Sequence, residues 1–150
     1  MWHASYMTEE GAEIADNATL IFLIRTGAAA FPHLVFEISA GGNTEIDFLE
    51  GPDITGDGNN VPTWNMRRPS VAVPEVGVWQ GPTVGPGGNG DRMVHNLLAG
   101  GTKNFACGGV VRPGTEWILA KSTEYLLILT NRSGAAQPMS VSFQWYDHNL

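Results

Sequence analysis

The stretch "PMSVSFQWYD", Pro138–Asp147, alternates without a break. Met139, Val141, Phe143 and Trp145 fall on one side of an extended chain, and Ser140, Ser142, Gln144 and Tyr146 on the other. Successive side chains of a strand point to opposite faces, so this period of two spells one buried and one wet face. The same reading extends backwards along the chain. "HLVFEIS" (His33–Ser39) alternates Leu34, Phe36 and Ile38 with polar neighbours, and "TEIDFLE" (Thr44–Glu50) sets Ile46 and Phe48 against Glu45 and Asp47. "TLIFLIRT" (Thr19–Thr26) and "TEYLLILTN" (Thr123–Asn131) are apolar at successive positions, at Leu20–Ile24 and Leu126–Leu129, which suits central strands covered on both faces. "SVAVPEVGVWQ" (Ser70–Gln80) is rich in valine but holds Pro74, so it reads as a bent or edge strand. "RMVHNLL" (Arg92–Leu98) fits a strand or a single helical turn, and "TEWILA" (Thr115–Ala120) adds one more short run.

Eight or more short strands with turn signals between them predict an all-β fold, a two-sheet jelly-roll or Greek-key sandwich. Nineteen glycines and nine prolines leave little room for long helices, and the one helical candidate, Glu9–Ala15, contains Gly11. At 150 residues the chain makes one domain, able to bury roughly 70% of its unfolded surface. Residues 17–150 are assigned to the sandwich. Residues 1–16 lack strand signals and carry Trp2, Tyr6 and Met7, so they are expected to form an extended arm that orders on assembly.

The net charge of −7 argues against nucleic acid or an anionic membrane, which attract clusters of Lys and Arg. Arg67–Arg68 is the one adjacent basic pair. A single cysteine, Cys107, excludes an internal disulfide framework, and the first residues show no basic segment followed by an apolar run. These traits predict folding in a reducing cytoplasm. Charged residues make up only 15% of the chain, against about 25% in a typical domain, and five tryptophans accompany them. Part of the surface must then be uncharged, as an interface is.

A repeat raises the question of a ligand loop. "FLEGPDITGDGN" (Phe48–Asn59) returns thirty residues later as "VWQGPTVGPGGN" (Val78–Asn89), so that Gly51, Pro52, Gly58 and Asn59 align with Gly81, Pro82, Gly88 and Asn89. Residues 85–90 match the spacing of a dinucleotide-binding loop, yet no amphipathic helix follows to receive a phosphate. Asp53, Thr55, Asp57 and Gly58 begin a calcium-loop pattern, but its twelfth position is Trp64 where a bidentate Glu is needed. What remains is a module used twice: strand, Gly-Pro exit, glycine-rich loop, returning strand. The two loops, Asp53–Asn60 and Thr83–Asp91, are expected side by side on one rim of the sandwich.

No catalytic motif emerges. His3, His33, His95 and His148 have no partner at metal-ligand spacing, Cys107 reads as a small buried residue, and Glu45 and Asp47 read as a solvated strand face. No metal, cofactor or enzymatic activity is expected. Trp117 and Trp145 belong to strands and are expected inside. Trp64, in "VPTWNMRRP" beside Arg67 and Arg68, is read either as an interface anchor or as a lid over the open end of the sandwich.

The C-terminal half resembles small virion proteins of tailed bacteriophages through "T-E-Y-L" (Thr123–Leu126), "T-N-R-S" (Thr130–Ser133) and "W-Y-D" (Trp145–Asp147). Earlier phrases fit the same order: an aliphatic run ending "LIRTG", then "HLVFEISAGG", "LEGP" with "GDGN", and "N-M-R" at Asn65–Arg67. The resemblance covers the chain from about Thr19 onward. It implies a capsid decoration or cement protein with a jelly-roll sandwich, made in the host cytoplasm and resident on the virion. The implied partners are the major capsid protein and the chain's own copies, as a homodimer or homotrimer. Related chains also serve as head or tail appendages. The candidate contact residues are Trp2, Tyr6, Asp57, Asn59, Trp64, Arg67, Arg68, Trp79 and Asn89. The rival reading is a carbohydrate-binding module using Trp64, Trp79, Asp57 and Asn59. A jelly-roll enzyme would want a His and Glu cluster on neighbouring strands, and the spacing of these histidines gives it little support.

Overall fold

The alternating runs become strands that close into a sandwich. The computed structural model describes residues 5–100, 109–111 and 116–148, and of 109–111 and 148 the backbone alone. In chain order the strands are β1 (Ser5–Ile14), β2 (Thr19–Arg25), β3 (Phe31–Ala40), β4 (Thr44–Glu50), β5 (Ile54–Gly56), β6 (Asn59–Asn60) and β7 (Trp64–Asn65). Then follow β8 (Gly77–Gln80), β9 (Thr83–Val84), β10 (Asp91–Leu98), β11 (Gly109–Val111), β12 (Trp117–Ile118), β13 (Glu124–Asn131) and β14 (Gln137–His148). One six-stranded sheet runs β11-β3-β14-β1-β7 with β12 also on β3; the other runs β10-β4-β13-β2-β8-β6. We call them the first and second sheets.

The pairing is nested, outermost with outermost. β1 pairs β14, β2 pairs β13, β3 pairs β11 and β12, and β4 pairs β10, all antiparallel. Two further ladders, β14 with β3 and β13 with β4, knit these hairpins into sheets. A long hairpin folded over on itself in this way is a jelly roll, which agrees with the expected class. The core lies between the sheets. Phe22, Ile24, Phe36, Ile38, Phe48, Leu127, Leu129, Val141, Phe143 and Trp145 are almost fully buried there. Phe48 stacks on Tyr125 and meets Trp117 edge-on at 5.5 Å. Trp145 is buried as expected, whereas Trp117 is half-buried against the core.

Two expectations are corrected. Residues 5–14 form a sheet strand instead of an assembly arm: β1 runs ten residues against β14, with Tyr6, Thr8 and Ile14 buried. Thr8, Glu10 and Ala12 lie on the same side as Tyr6 and Ile14, and this polar inward face is why no apolar alternation shows in the sequence. The valine-rich half of Ser70–Gln80 is also no strand. Only Gly77–Gln80 joins a ladder, because Pro74 removes a donor and bends the chain.

The repeat has a structural basis, though not as two separate hairpins. Each copy's returning strand pairs with the other copy's departing strand: β6 after the first loop pairs β8, and β10 after the second pairs β4. Between them β5 and β9 pair, Ile54 opposite Val84, forming a ribbon. Ile54 and Val84 pack on Leu23, Leu49, Leu126 and Ile128, the outward residues of the second sheet. That cover explains why β2 and β13 are apolar on both faces. The two loops are neighbours as expected, since Asp53 N–H donates to Gly88 O and Gly85 N–H to Asp53 O. They lie over the face of the second sheet, and not on a rim, because each Gly-Pro exit turns the chain across that face. Arg25 fastens the ribbon: its guanidinium makes two hydrogen bonds to Asp57, a third to Glu124, and lies 5.0 Å over Trp79.

Candidate functional site

Between β6 and β8 the chain leaves the second sheet, crosses to the edge of the first, and returns. Val61 and Val76, both buried, anchor this crossing segment, and Val61 N–H donates to Val78 O. Its ladder with the first sheet is β7: Asn65 lies opposite Tyr6 and Trp64 opposite Met7, Met66 N–H donates to Ser5 O at 2.7 Å, and just before it Thr8 Oγ of β1 donates to Pro62 O at 2.7 Å. Prolines at 62, 69 and 74 keep the rest out of any ladder.

Local hydrogen bonds set the shape of the loop. The Asn65 side chain accepts from Arg67 N–H and donates to Ala72 O, Ser70 N–H donates to Arg67 O, and Ala72 N–H donates to Ser70 Oγ. At the far end the Glu75 carboxylate accepts from Ala29 and Ala30 N–H. On this frame the apolar side chains point outward. Trp64 is 56% exposed, Met66 50%, Val71 96% and Val73 81%. Arg68 lies over the Trp64 ring at 5.4 Å. Removing apolar surface from water is favourable by roughly 25 cal/mol per Å², which marks this loop as the candidate contact surface. Trp64 therefore stands out from the fold and is no lid on it.

The other candidate residues do not join this loop. Tyr6 is a core residue, 2% exposed and stacked on Trp145 at 5.8 Å, which corrects its assignment to a surface arm. Burial, then the charges of Asp147 and Glu75, hold the Tyr6 hydroxyl above its usual range. Asp57, Asn59, Trp79 and Asn89 belong to the ribbon side of the second sheet. Asp57 is tied to Arg25, Asn59 faces Gln80, and Trp79 is half-buried beneath Arg25. The set needed for sugar stacking is thus split, with Trp64 on the crossing loop and Trp79 already covered. Trp2, His3 and Cys107 lie outside the described residues.

Pairing of β4 with β10 produces one cluster that spacing did not reveal. His95 sits opposite Asp47, its Nδ1 2.8 Å from Asp47 Oδ1, and Glu45, Asp47 and His95 place three ligand-type atoms within 4.8 Å of one another. Two guanidiniums already hold the carboxylates, Arg92 on Asp47 at 3.0 Å and Arg132 on Glu45 at 2.9 Å. Opposite charges are balanced within the cluster, which in this arrangement is an ion network at the uncovered end of the second sheet's outer face. On the first sheet, His33 stacks on Tyr146 at 4.6 Å and lies 3.3 Å from Glu116, whose carboxyl is held low by hydrogen bonds from Tyr146 and His33. Only the ladder could bring these residues together.

No protein-family model matches the chain, and no curated protein matches it. Among solved structures it is similar to an unassembled VP1 pentamer of KI polyomavirus at 10% identity. That match covers 95% of this chain and 76% of the other with a TM-score of 0.21, too low to weigh on fold or function. No described helix is long and apolar enough to cross a membrane.

Proposed function

We propose that this chain is a non-enzymatic binding protein of a phage virion, a decoration or cement protein that docks on the outside of the major capsid protein shell and stabilises the head. The observation that supports this reading most is the crossing loop, where Trp64, Met66, Val71 and Val73 are held outward beside Arg67 and Arg68. Tryptophan and arginine are the residues most enriched among interface anchors. The rigid sandwich behind them limits the ordering cost of docking. Weak contacts repeated by a homodimer or homotrimer across a symmetric shell would add up through multivalency. The sequence resemblance to small virion proteins points the same way.

The test is rebinding to stripped heads. Purified protein should co-sediment with them and raise their melting temperature, and Trp64→Ala combined with Val71→Ser should weaken binding at least tenfold without lowering the protein's own melting point. Heads that neither bind the wild-type chain nor gain stability refute the proposal.

A further inference from the structure

The first sheet ends in an edge that is only partly closed. β7 covers β1 at Tyr6 and Met7, and beyond that point β1 has no ladder partner on this side among the described residues. Which backbone groups face outward follows from the register. Ser5 O accepts from Met66, so Ser5 points away from β14, and alternation sends residues 7, 9, 11 and 13 the same way. The N–H of Gly11 agrees, because its bond goes to the neighbouring Glu10 carboxylate at 3.1 Å and not to β14. Glu9 and Glu13 therefore present outward N–H and C=O groups, and Gly11 its C=O with an N–H now held by Glu10, in a row continuous with β7 beside the crossing loop.

Two features define what fits this row. Gly11 is exposed and bare, so the outer face of β1 between Glu9 and Glu13 carries no side chain, and the crowding that a Cβ would meet there, 2.9 Å from Met139 O, comes from β14 on the closed side. The second feature is charge. None of the six strands of the first sheet contains Lys or Arg, while they carry Glu9, Glu10, Glu13, Glu37 and Asp147. A second copy paired along this edge would set carboxylates against carboxylates, which is unfavourable for directly opposed pairs.

We propose that the open edge of β1, from Glu9 to Glu13, is a strand-addition site that takes an extended segment bearing Lys or Arg from a partner protein. Main-chain hydrogen bonds supply the pairing, and the carboxylates of Glu9 and Glu13 select basic side chains at alternate positions. The proposal rests on the capsid reading only for the source of that segment, the shell subunit.

The probe is a capped nine-residue peptide of alternating lysine and valine, with a glutamate-valine peptide as control, added to the full chain. Amide hydrogen exchange followed by NMR should slow at least tenfold at Glu9, Gly11 and Glu13 with the lysine peptide and not with the control. Glu9→Pro should abolish this protection, since the lost N–H faces away from β14 and the ladder survives. The double variant Glu9→Lys with Glu13→Lys, which leaves the backbone untouched, should exchange the preference to the glutamate peptide. No protection by either peptide, equal protection by both, or concentration-dependent protection without peptide would each overturn the proposal, the last by making a second copy the occupant. Heads that bind wild-type and Glu9→Pro protein equally would sink the edge site and leave the capsid reading standing. Peptide protection without head binding would do the reverse.

Discussion

Sequence alignment of the two Gly-Pro copies sets Gly58 against Gly88, but the fold makes Gly58 the counterpart of Gly90, and alanine substitutions separate the two. A Cβ on Gly58 would lie 2.3 Å from Gln80 O and 2.7 Å from the Gly81 carbonyl carbon. One on Gly90 would lie 2.2 Å from Glu50 O and 2.8 Å from Pro52 N. Both contacts are with backbone at the other copy's exit, which cannot yield without moving the β6–β8 or β4–β10 ladder. Gly51, Gly81 and Gly88 also have positive φ, at 69°, 68° and 88°, yet a Cβ there would meet nothing within 4 Å. For those three, the left-handed backbone costs alanine ~1–2 kcal/mol, offset by ~0.4–1 from the stiffer unfolded chain. Gly58→Ala and Gly90→Ala bear the same backbone cost plus ~1–3 kcal/mol of overpacking. The two groups should then differ by about 2 kcal/mol, or roughly 4–8 °C in melting temperature at this chain length. Guanidinium unfolding followed by tryptophan fluorescence, with calorimetry beside it, measures both quantities. Gly88→Ala as costly as Gly58→Ala, or Gly58→Ala no worse than Gly51→Ala, would refute the crossed pairing as the reason for these glycines.

Two further outcomes follow from buried ionisable groups. Burial and a hydrogen bond to Glu50 push the Tyr125 hydroxyl up to about 12, and the same oxygen accepts from Ala120 N–H. Tyr125→Phe removes both bonds from partners that water can reach and should cost about 0.5–1.5 kcal/mol near neutral pH. In the wild type this contribution is intact below the ordinary tyrosine range and is lost as pH rises through about 12, so the gap to the variant narrows in alkaline titration; a constant gap contradicts the assignment. Burial pushes the Asp147 carboxyl above the aspartate range; a hydrogen bond from the Glu75 backbone opposes this, and the Glu75 charge adds to it. A raised folded value means that stability falls as pH climbs through it. Asp147→Asn should therefore stabilise the protein at neutral pH, with the gain vanishing in acid below the ordinary aspartate range. Denaturation at a series of pH values checks this, and a gain that persists in acid would show another cause.

The alternation in His33–Ser39, Thr44–Glu50 and Pro138–Asp147, together with the doubly apolar Leu20–Ile24 and Leu126–Leu129, was enough to determine an all-β sandwich and its central strands. Those signals are local: each strand's side chains report which of its faces will be dry. Some properties depend on which strands become neighbours, and these were set only by the tertiary structure. β1 is hidden in the sequence because its inward positions include Thr8 and Glu10, so its membership of the first sheet rests on the ladder with β14. The repeat was visible, but spacing paired its glycines by sequence, whereas the crossed ladders pair Gly58 with the exit at Gly81 and Gly90 with the exit at Gly51. Trp64, Arg67 and Arg68 stood out in the sequence as candidate contact residues. The outward setting of Val71 and Val73 was not, because Val-Ala-Val reads as a strand until Pro74 and the Asn65–Ala72 hydrogen bond hold it off the sheet. The Glu45–Asp47–His95 cluster and the open edge of β1 likewise belong to register, which joins residues dozens of positions apart and leaves no trace in local periodicity.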